Sequence, residues 1–390
     1  MKLRSTALAL FVLLASTTLI HAKDFNVNNY GARADGKTDN SKVLLKVWKE
    51  ACEEKGSNTI YIPAGEFMTS IVEFRGPCKG YIVFKIDGVL KAPSDPQLGK
   101  SIWVVFKGID GLTVTGNGRF DGQGPLAWRY NDCKKNKQCK DLPNTLSFRN
   151  VNNAWVNNIK LVDSKGGQLS INGCNNVHFE NIEIKAPEDS PNTDGVRISA
   201  SNHISFLRSV IGTGDDCFAL NGGSRNINIT QVFCGPGHGI SIGSLGRVQD
   251  NEDVTNVVVQ NCTLKGTNNG VRIKTWATSY TGIASDFTFE NIQMINVNNP
   301  IIIDQKYCPN NACVKASSSI QVSNVKYKNI RGISSSQVAV SFLCSETKPC
   351  QKLELTDINL QYNGKGPVKT ECSYANGVAF GTQKPASCFH

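Results

Sequence analysis

Carboxylates, a histidine and two cations recur in this chain at intervals that fit one structural period. Three segments supply the acidic and imidazole groups at spacings of 21 to 23 residues, and a fourth adds Arg and Lys about one and a half intervals later. Groups that share a period can meet on one face of a repeating fold. The segments are residues 192–195 (Asn-Thr-Asp-Gly), 214–217 (Gly-Asp-Asp-Cys), 237–239 (Gly-His-Gly) and 272–274 (Arg-Ile-Lys).

Such a group of side chains could cleave a glycosidic bond. Three neighbouring carboxylates repel one another, so at least one should hold its proton to higher pH. Glycoside hydrolysis needs one protonated acid and one ionised base, and carboxyl groups roughly 6.5–9.5 Å apart would predict inversion. His238 could set the protonation pattern, while Arg272 and Lys274 suit a substrate carboxylate.

Each segment alone has a simpler interpretation. Asn-Thr-Asp-Gly is usually a turn, and Asp-Asp is usually a solvated loop or part of a calcium site. Gly-His-Gly is often a bend, and Arg-x-Lys is mostly a solvated strand face. Their coincidence at matching positions of a repeat favours one functional site over four unrelated features.

Short β-branched strands after Asn- or Gly-containing turns repeat from Gly108 onward. Strands of three to five residues without intervening helices, at a period of 22 to 33 residues, predict an all-β parallel β-helix. A propeller needs roughly 40–50 residues per blade, and a sandwich would show hairpin turns. The positions predicted to be equivalent are Trp155, Val177, Ile204, Ile227, Val257, Phe287, Ile320 and Leu353.

Stacking of the coils predicts where the ionisable groups lie. Coils stack at roughly 4.8 Å, so residues one period apart are neighbours, and all the groups above follow the marker strand of their coil. Arg272 and Lys274 should point outward together. Asp215 and Asp216 are adjacent, so both face the cleft only where the backbone turns or bulges. The Asn residues at coil corners suit positive φ and could stack between coils.

Two segments precede the repeats. Residues 1–22 combine a basic start, a short apolar run and a terminal Ala, which predicts a secretory signal peptide. Residues 41–53 show apolar spacing of three to four, which predicts an amphipathic helix that caps the solenoid. No Pro- or Ser-rich linker interrupts residues 23–390, so we expect a single domain there.

Charge and cysteine content fit an exported protein. The net charge of +10 becomes +8 without residues 1–22, which suggests a polyanionic partner such as nucleic acid, sulfated glycan or acidic polysaccharide. Fourteen cysteines favour disulfides over a metal site, because no paired C-x-x-C motif is present and the five histidines are scattered. Cys174 and Cys262 have no obvious partner and could be buried thiols.

Together the four segments, in this order and spacing, resemble those of polygalacturonases over essentially the whole chain after residue 22. Residues 236–246 and 269–276 resemble the pollen-type plant branch, which is often described as exo-acting. The resemblance implies a right-handed parallel β-helix that hydrolyses α-1,4-linked galacturonate in homogalacturonan by inversion, without a metal or other cofactor. It also implies a secreted, cell-wall monomer that binds acidic polysaccharide (pectin) rather than nucleic acid or membrane.

The resemblance assigns roles residue by residue. It makes Asp215 the general acid, lets Asp194 and Asp216 activate water, and has His238 maintain the acid's protonation. The substrate-binding residues would be Asn192, Arg272, Lys274 and Tyr307. The implied disulfides are Cys52–Cys78, Cys217–Cys234, Cys344–Cys350 and Cys372–Cys388. Arg197 departs from the pattern, because plant relatives commonly carry histidine there.

Three alternatives stay open at this point. The enzyme could be endo-acting, because loops at the cleft ends decide that property. A pectate-type lyase shares the β-helix and an acidic cleft but typically needs calcium and releases unsaturated products; His238 and the three aspartates favour water instead. A pectin-binding wall protein or allergen of weak activity is the third alternative, and the complete set of expected catalytic residues argues against it.

Overall fold

The strands wind into a parallel β-helix with three walls. The computed structural model describes residues 22–95, 101–131, 142–249, 252–278, 280–309 and 317–389. From Ser57 to Trp276, each coil contributes one strand to wall 1, one to wall 2 and one to wall 3. Walls 1 and 2 belong to one 21-stranded sheet and wall 3 is an 11-stranded sheet. The all-β parallel β-helix prediction is confirmed.

The bounds of the strands follow the coils. Wall 1 begins with the short strands Ala22–Asn26, Ser57–Ile62, Tyr81–Ile86, Asp110–Thr115, Asn152–Asn157, Asn175–Glu180, Asn202–Leu207, Ser224–Thr230 and Val254–Gln260. Wall 2 begins with Glu66–Met68, Val89–Lys91, Arg119–Asp121, Lys160–Val162, Glu183–Lys185, Val210–Gly212, Phe233–Cys234 and Thr263–Lys265. In the last coils, single long strands run through both walls, and these are Thr281–Val297, Ser319–Ser334, Cys350–Tyr362 and Ala375–Lys384.

Wall 3 carries the cleft described below. Its strands are Val72–Arg75, Ile102–Lys107, Asn144–Arg149, Leu169–Asn172, Val196–Ser199, Phe218–Leu220, Ile240–Leu245, Asn269–Trp276, Asn299–Tyr307, Val338–Leu343 and Lys369–Ser373. The helical segments of the described chain are a 3₁₀ turn, Val27–Tyr30, and the α-helices Ser41–Glu53 and Pro125–Trp128. Within these ranges no helix has the length and apolar character needed to cross a bilayer.

Most of the predicted equivalences between coils are confirmed by the wall 1 register. Val177 pairs with Ile204, and the same row continues through Ile227, Val257 and Phe287. All five side chains are buried in the core. The inward side chains of each coil therefore stack directly on those of the next.

Two predicted equivalences are wrong. Ala154, not Trp155, pairs with Val177, and Trp155 points outward to stack near His178 with 5.2 Å between ring centroids. In the later coil, Val325 rather than Ile320 occupies the marker position. Trp155 is an apolar residue on the outer face, and Ile320 is an additional inward residue at the start of strand Ser319–Ser334. Both imitate the apolar pattern of the core.

Asn residues at the coil corners behave as predicted. Asn153, Asn176, Asn226 and Asn256 all have φ between 51° and 57°. Their side-chain amides also form a ladder, in which Asn176 donates to Asn153 over 2.7 Å and Asn256 donates to Asn226 over 2.5 Å. Each Asn therefore satisfies a left-handed backbone and links its coil to the next one.

The N-terminal end of the core is closed by the predicted capping helix. Helix Ser41–Glu53 has the predicted bounds, and Asp39 accepts a hydrogen bond from the backbone N–H of Ser41 over 2.9 Å. Trp48 packs from the helix onto Phe74, with ring centroids 5.0 Å apart. Residues 1–21 lie outside the described ranges, so the signal peptide stays a prediction.

The structure contains the four disulfides that the resemblance implied, while Cys174 and Cys262 are buried free thiols. Burial raises the pKa of each of these two thiols to about 11. Both are therefore protonated core residues at physiological pH rather than reactive groups.

The Asn ladder yields a stability prediction. N226A should lower the free energy of unfolding by about 1–2 kcal/mol, because it removes two inter-coil hydrogen bonds and strains a backbone with φ of 55°. N226G should recover only the part of the lost unfolding free energy that comes from backbone strain, because glycine adopts positive φ without strain. N228A, an exposed position in the same strand, is the matched control, and denaturant unfolding is the measurement. An N226A loss no larger than that of N228A would contradict the role of the ladder.

Candidate active site

One corner of the β-helix, where wall 2 turns into wall 3, carries three of the expected catalytic side chains. Asp194, Asp216 and His238 each stand two residues before a wall 3 strand. Those strands begin in register, with Val196 paired to Phe218 and Phe218 paired to Ile240. The three groups therefore occupy the same position in three successive coils, although the turn before Val196 is longer than the next two.

Tight turns allow this close stacking. A Cβ on Gly214 would lie 1.9 Å from the carbonyl oxygen of Ser190, so no larger residue fits there. Gly237 and Gly239, on either side of His238, have φ of 138° and 86°. The glycines that flank the ionisable groups thus let neighbouring turns approach at the coil spacing.

Asp216 is the buried member of the adjacent aspartate pair. Its carboxylate accepts hydrogen bonds from Arg272 Nη2 at 2.8 Å, Lys274 Nζ at 2.7 Å and Ser241 Oγ at 3.0 Å. Only 3% of its side chain is exposed. The prediction that Arg272 and Lys274 point outward together is confirmed, and in this structure both cations bind Asp216. Without them, the buried charge would cost several kcal/mol.

Asp215 faces the cleft and pairs with His238. Nδ1 of His238 lies 2.9 Å from Oδ1 of Asp215, and the His238 backbone N–H donates to the Asp215 carbonyl at 2.8 Å. Burial would raise the pKa of Asp215, but the hydrogen bond and charge of His238 hold that pKa below its usual value. The same hydrogen bond raises the pKa of His238. Each of the two side chains thus stabilises the charged form of the other.

Asp194 is bound by a cation of the strand that follows its turn. Nη2 of Arg197 donates to Oδ2 of Asp194, and 8% of the Asp194 side chain is exposed. Burial raises the pKa of Asp194 to about 6, with repulsion from Asp215 and Asp216 in the same direction and Arg197 opposing both. The carboxyl that holds its proton to higher pH is thus Asp194, rather than the implied acid Asp215.

These groups line a cleft with two connected parts. A cavity of about 440 Å³ is bordered by Asp194, Asp216, Lys274 and Tyr307, and a second of about 830 Å³ by His238 and several residues of earlier coils. The residues common to both are Asn192, Arg197, Asp215 and Arg247. Asp215 therefore stands at the junction, where a bound chain would cross from one part to the other.

The structure also brings both remaining sequence candidates to the cleft. Tyr307 pairs with Trp276 in wall 3, with 5.4 Å between ring centroids, and Lys274 Nζ lies 5.3 Å from the Tyr307 ring centre. Asn192 is exposed beside the Asp194 turn.

The sequence reasoning missed two further cleft residues, Arg247 and Glu252. Glu252 accepts hydrogen bonds from the backbone N–H groups of Gly246 and Val248 and so shapes the segment that carries Arg247. The repeat of 22 to 33 residues gave no signal for them, because both lie outside the wall 3 strands, beyond Ile240–Leu245.

The cluster of Asp215, Asp216 and His238 has the spacing of a metal site, since one ligand atom from each lies within 4.8 Å of the others. The donor set nevertheless fits a divalent cation poorly. Arg272 and Lys274 already neutralise Asp216, and His238 occupies one oxygen of Asp215. A further cation would be repelled by two fixed positive charges.

The raised pKa of Asp194 predicts a pH-dependent effect on stability. A folded pKa of about 6, above the ordinary aspartate value of 3.8, means that the wild-type fold loses stability as pH rises between these two values. D194N removes the titration, so its free energy of unfolding should improve relative to wild type between pH 4 and pH 7, by on the order of 1–3 kcal/mol. Denaturant unfolding at each pH measures this difference. A constant or opposite difference would show that Asp194 does not titrate in this range.

Comparisons with known proteins identify the family of the chain. The family model for glycosyl hydrolases family 28 matches residues 52–388. An exopolygalacturonase of Platanus acerifolia is 46% identical over 366 residues, which cover 93% of this chain and 97% of the relative. An exopolygalacturonase of Oenothera organensis is 45% identical over 354 residues, covering 90% and 98% of the two chains.

A solved structure shows the same fold at low sequence identity. The exopolygalacturonase of Thermotoga maritima superposes with a TM-score of 0.77 and 20% identity, covering 92% of each chain. The family match over residues 52–388 and the two plant relatives show that the chain belongs to glycosyl hydrolases family 28.

Proposed function

We propose that this protein hydrolyses α-1,4-galacturonosyl linkages in polygalacturonate by a single inverting displacement. The observation that carries the proposal is the position shared by Asp194, Asp216 and His238 in three successive coils, with Asp215 between them at the cleft surface. A protonated donor and an ionised acceptor on one cleft wall are what glycosidic hydrolysis requires.

The contacts suggest a proton path. Asp215 donates a proton to the departing glycosidic oxygen. The hydrogen bond to Asp215 raises the pKa of His238, so His238 supplies the Asp215–His238 pair with a proton at mildly acidic pH. Asp194 takes a proton from the water whose oxygen bonds to the anomeric carbon. Asp216 helps to orient that water.

Asp194 is the better base of the two remaining aspartates. The oxygens of Asp215 and Asp216 approach within 4.8 Å, below the roughly 6.5–9.5 Å that leaves room for a water and a sugar between acid and base. The acceptor sites of Asp216 are also committed to Ser241 and the two wall 3 cations.

The cationic lining supports an acidic sugar substrate. Lys274, Arg197 and Arg247 surround the smaller cavity with Tyr307, and Arg247 has no carboxylate partner among the described residues. A guanidinium matches the planar geometry of a uronate carboxylate, and a tyrosine ring offers a flat face to a sugar. Arg247 is exposed at the cleft, so its guanidinium can pair with a uronate carboxylate, a group that a neutral polysaccharide lacks.

We further propose exo action in the plant cell wall after export directed by residues 1–22. The two plant relatives are named exopolygalacturonases, and their identity extends over nearly their full lengths. Endo action is the alternative, because the segments that close the ends of a cleft decide between the two.

The test is hydrolysis of a defined oligogalacturonate with product sizing. We expect new reducing ends and galacturonate monomer as the first product, whereas mixed oligomers would indicate endo action. A chelator should leave the rate unchanged. Rising ultraviolet absorbance that a chelator abolishes would identify a lyase instead, and binding without any reducing ends between pH 4 and 7 would identify a binding protein.

D215N is the matched inactive variant for this assay. It keeps the volume of the side chain but removes the proton donor, so turnover should fall by about 10²–10⁴-fold with little change in the thermal midpoint. Near-normal turnover by D215N would contradict the acid assignment.

A further inference from the structure

The outward row of wall 3 holds two arginines, one at each end of the catalytic turns. In register, Arg197 pairs with Ala219, Ala219 with Ser241, and Ser241 with Arg272. Three coil steps place the two arginines roughly 14 Å apart along the cleft floor. The short side chains between them leave each guanidinium free to reach an aspartate, Asp216 for Arg272 and Asp194 for Arg197.

We propose that Arg197 is a positioning residue for the hydrolysis, whose guanidinium favours the ionised form of the Asp194 carboxylate and orients it toward the attacking water. This inference rests on the proposed function. The contact is local, because the two residues are three apart: Asp194 lies in the turn before strand Val196–Ser199, and Arg197 is the second residue of that strand. The Arg197 side chain is 44% exposed on the cleft side, whereas that of Asp194 is 8% exposed.

The surroundings of Asp194 explain why it needs this partner. Asp215 and Asp216 of the next coil repel its negative charge, and burial disfavours that charge as well. Such burial can raise the pKa of a carboxyl by several units, and a neighbouring arginine lowers it by roughly 1–3 units. The other ionisable groups that line the same cavity are Arg247, Glu252, Lys274 and Tyr307.

Arg197 is the only member of this set that donates a hydrogen bond to Asp194 among the described residues. Lys274 donates to Asp216 instead, and Glu252 is bound to the backbone of residues 246–248. With Arg197 neutralised, the pKa of Asp194 would rise further above its usual value, so the carboxyl would hold its proton over a wider pH range and would accept one from water less often.

The test compares R197Q, R197K and a matched control. Arg208 pairs with Glu180 on the outer side of wall 1 and its side chain is 51% exposed, so R208Q removes an equivalent surface ion pair away from the cleft. The measurement is the pH profile of kcat/KM on oligogalacturonate, whose acid limb reports the free enzyme's base.

R197Q should move the midpoint of the acid limb to higher pH by about one unit or more. R197K should shift it less, because the charge remains without the planar fork, and R208Q should leave it unchanged. A higher KM with an unmoved acid limb would overturn the proposal and make Arg197 a direct substrate contact. An unchanged profile and KM would overturn it as well.

A second readout does not depend on substrate. If Arg197 holds Asp194 ionised, R197Q makes the folded state bind that proton more tightly, so the stability of R197Q relative to wild type should fall as pH rises from 5 to 8. R208Q should show no such trend. A wild type that releases no reducing ends, with this trend present, would reject the proposed function and retain the pairing. An active wild type without the trend would reject the pairing alone.

Discussion

Backbone hydrogen bonds between successive wall 3 strands hold Val196, Phe218 and Ile240 in register, and the cleft depends on that alignment. Side chains alternate between the two faces of a strand, so a slip of one residue would turn every outward group inward. The register converts a sequence interval of about 22 residues into a spacing of roughly 4.8 Å. Asp194 and Asp216, which no local motif could join, therefore become neighbours.

Bringing these carboxylates together has an electrostatic cost that the structure offsets one residue at a time. Asp216 is held by Arg272 and Lys274, Asp215 by His238, and Asp194 by Arg197. The partners differ in strength and burial, so the three aspartates are not equivalent. Asp216 accepts hydrogen bonds from Arg272, Lys274 and Ser241, and Asp215 is hydrogen-bonded to His238. The pKa of Asp194 is raised by burial and lowered by Arg197.

The sequence predicted the fold well because the same residue types recur once in each coil. The Asn corners, the inward aliphatic row from Val177 to Phe287 and the capping helix at residues 41–53 each follow from local chemistry. The errors at Trp155 and Ile320 arose because an apolar side chain on the outer surface, at Trp155, and an additional inward side chain, at Ile320, both imitate the marker position. Only the pairing partner in the adjacent coil distinguishes the two.

The residues of the candidate site were easier to predict from the sequence than the contacts between them. The cleft residues were identified, but the sequence pointed Arg272 and Lys274 at a substrate rather than at Asp216. Turns of unequal length separate wall 2 from wall 3, so position along the chain does not reveal which cation meets which carboxylate. Arg247 and Glu252 lie outside the wall 3 strands and left no periodic signal.

The most direct test of the account is the stereochemistry of the first product. Proton NMR of a freshly mixed reaction distinguishes the two anomers of the new reducing end before they interconvert. The cleft predicts that an α-linked galacturonan first yields the β-anomer, because Asp194 activates a water on the face opposite to the bond that Asp215 protonates. Initial release of the α-anomer would require a covalent intermediate and would contradict the account.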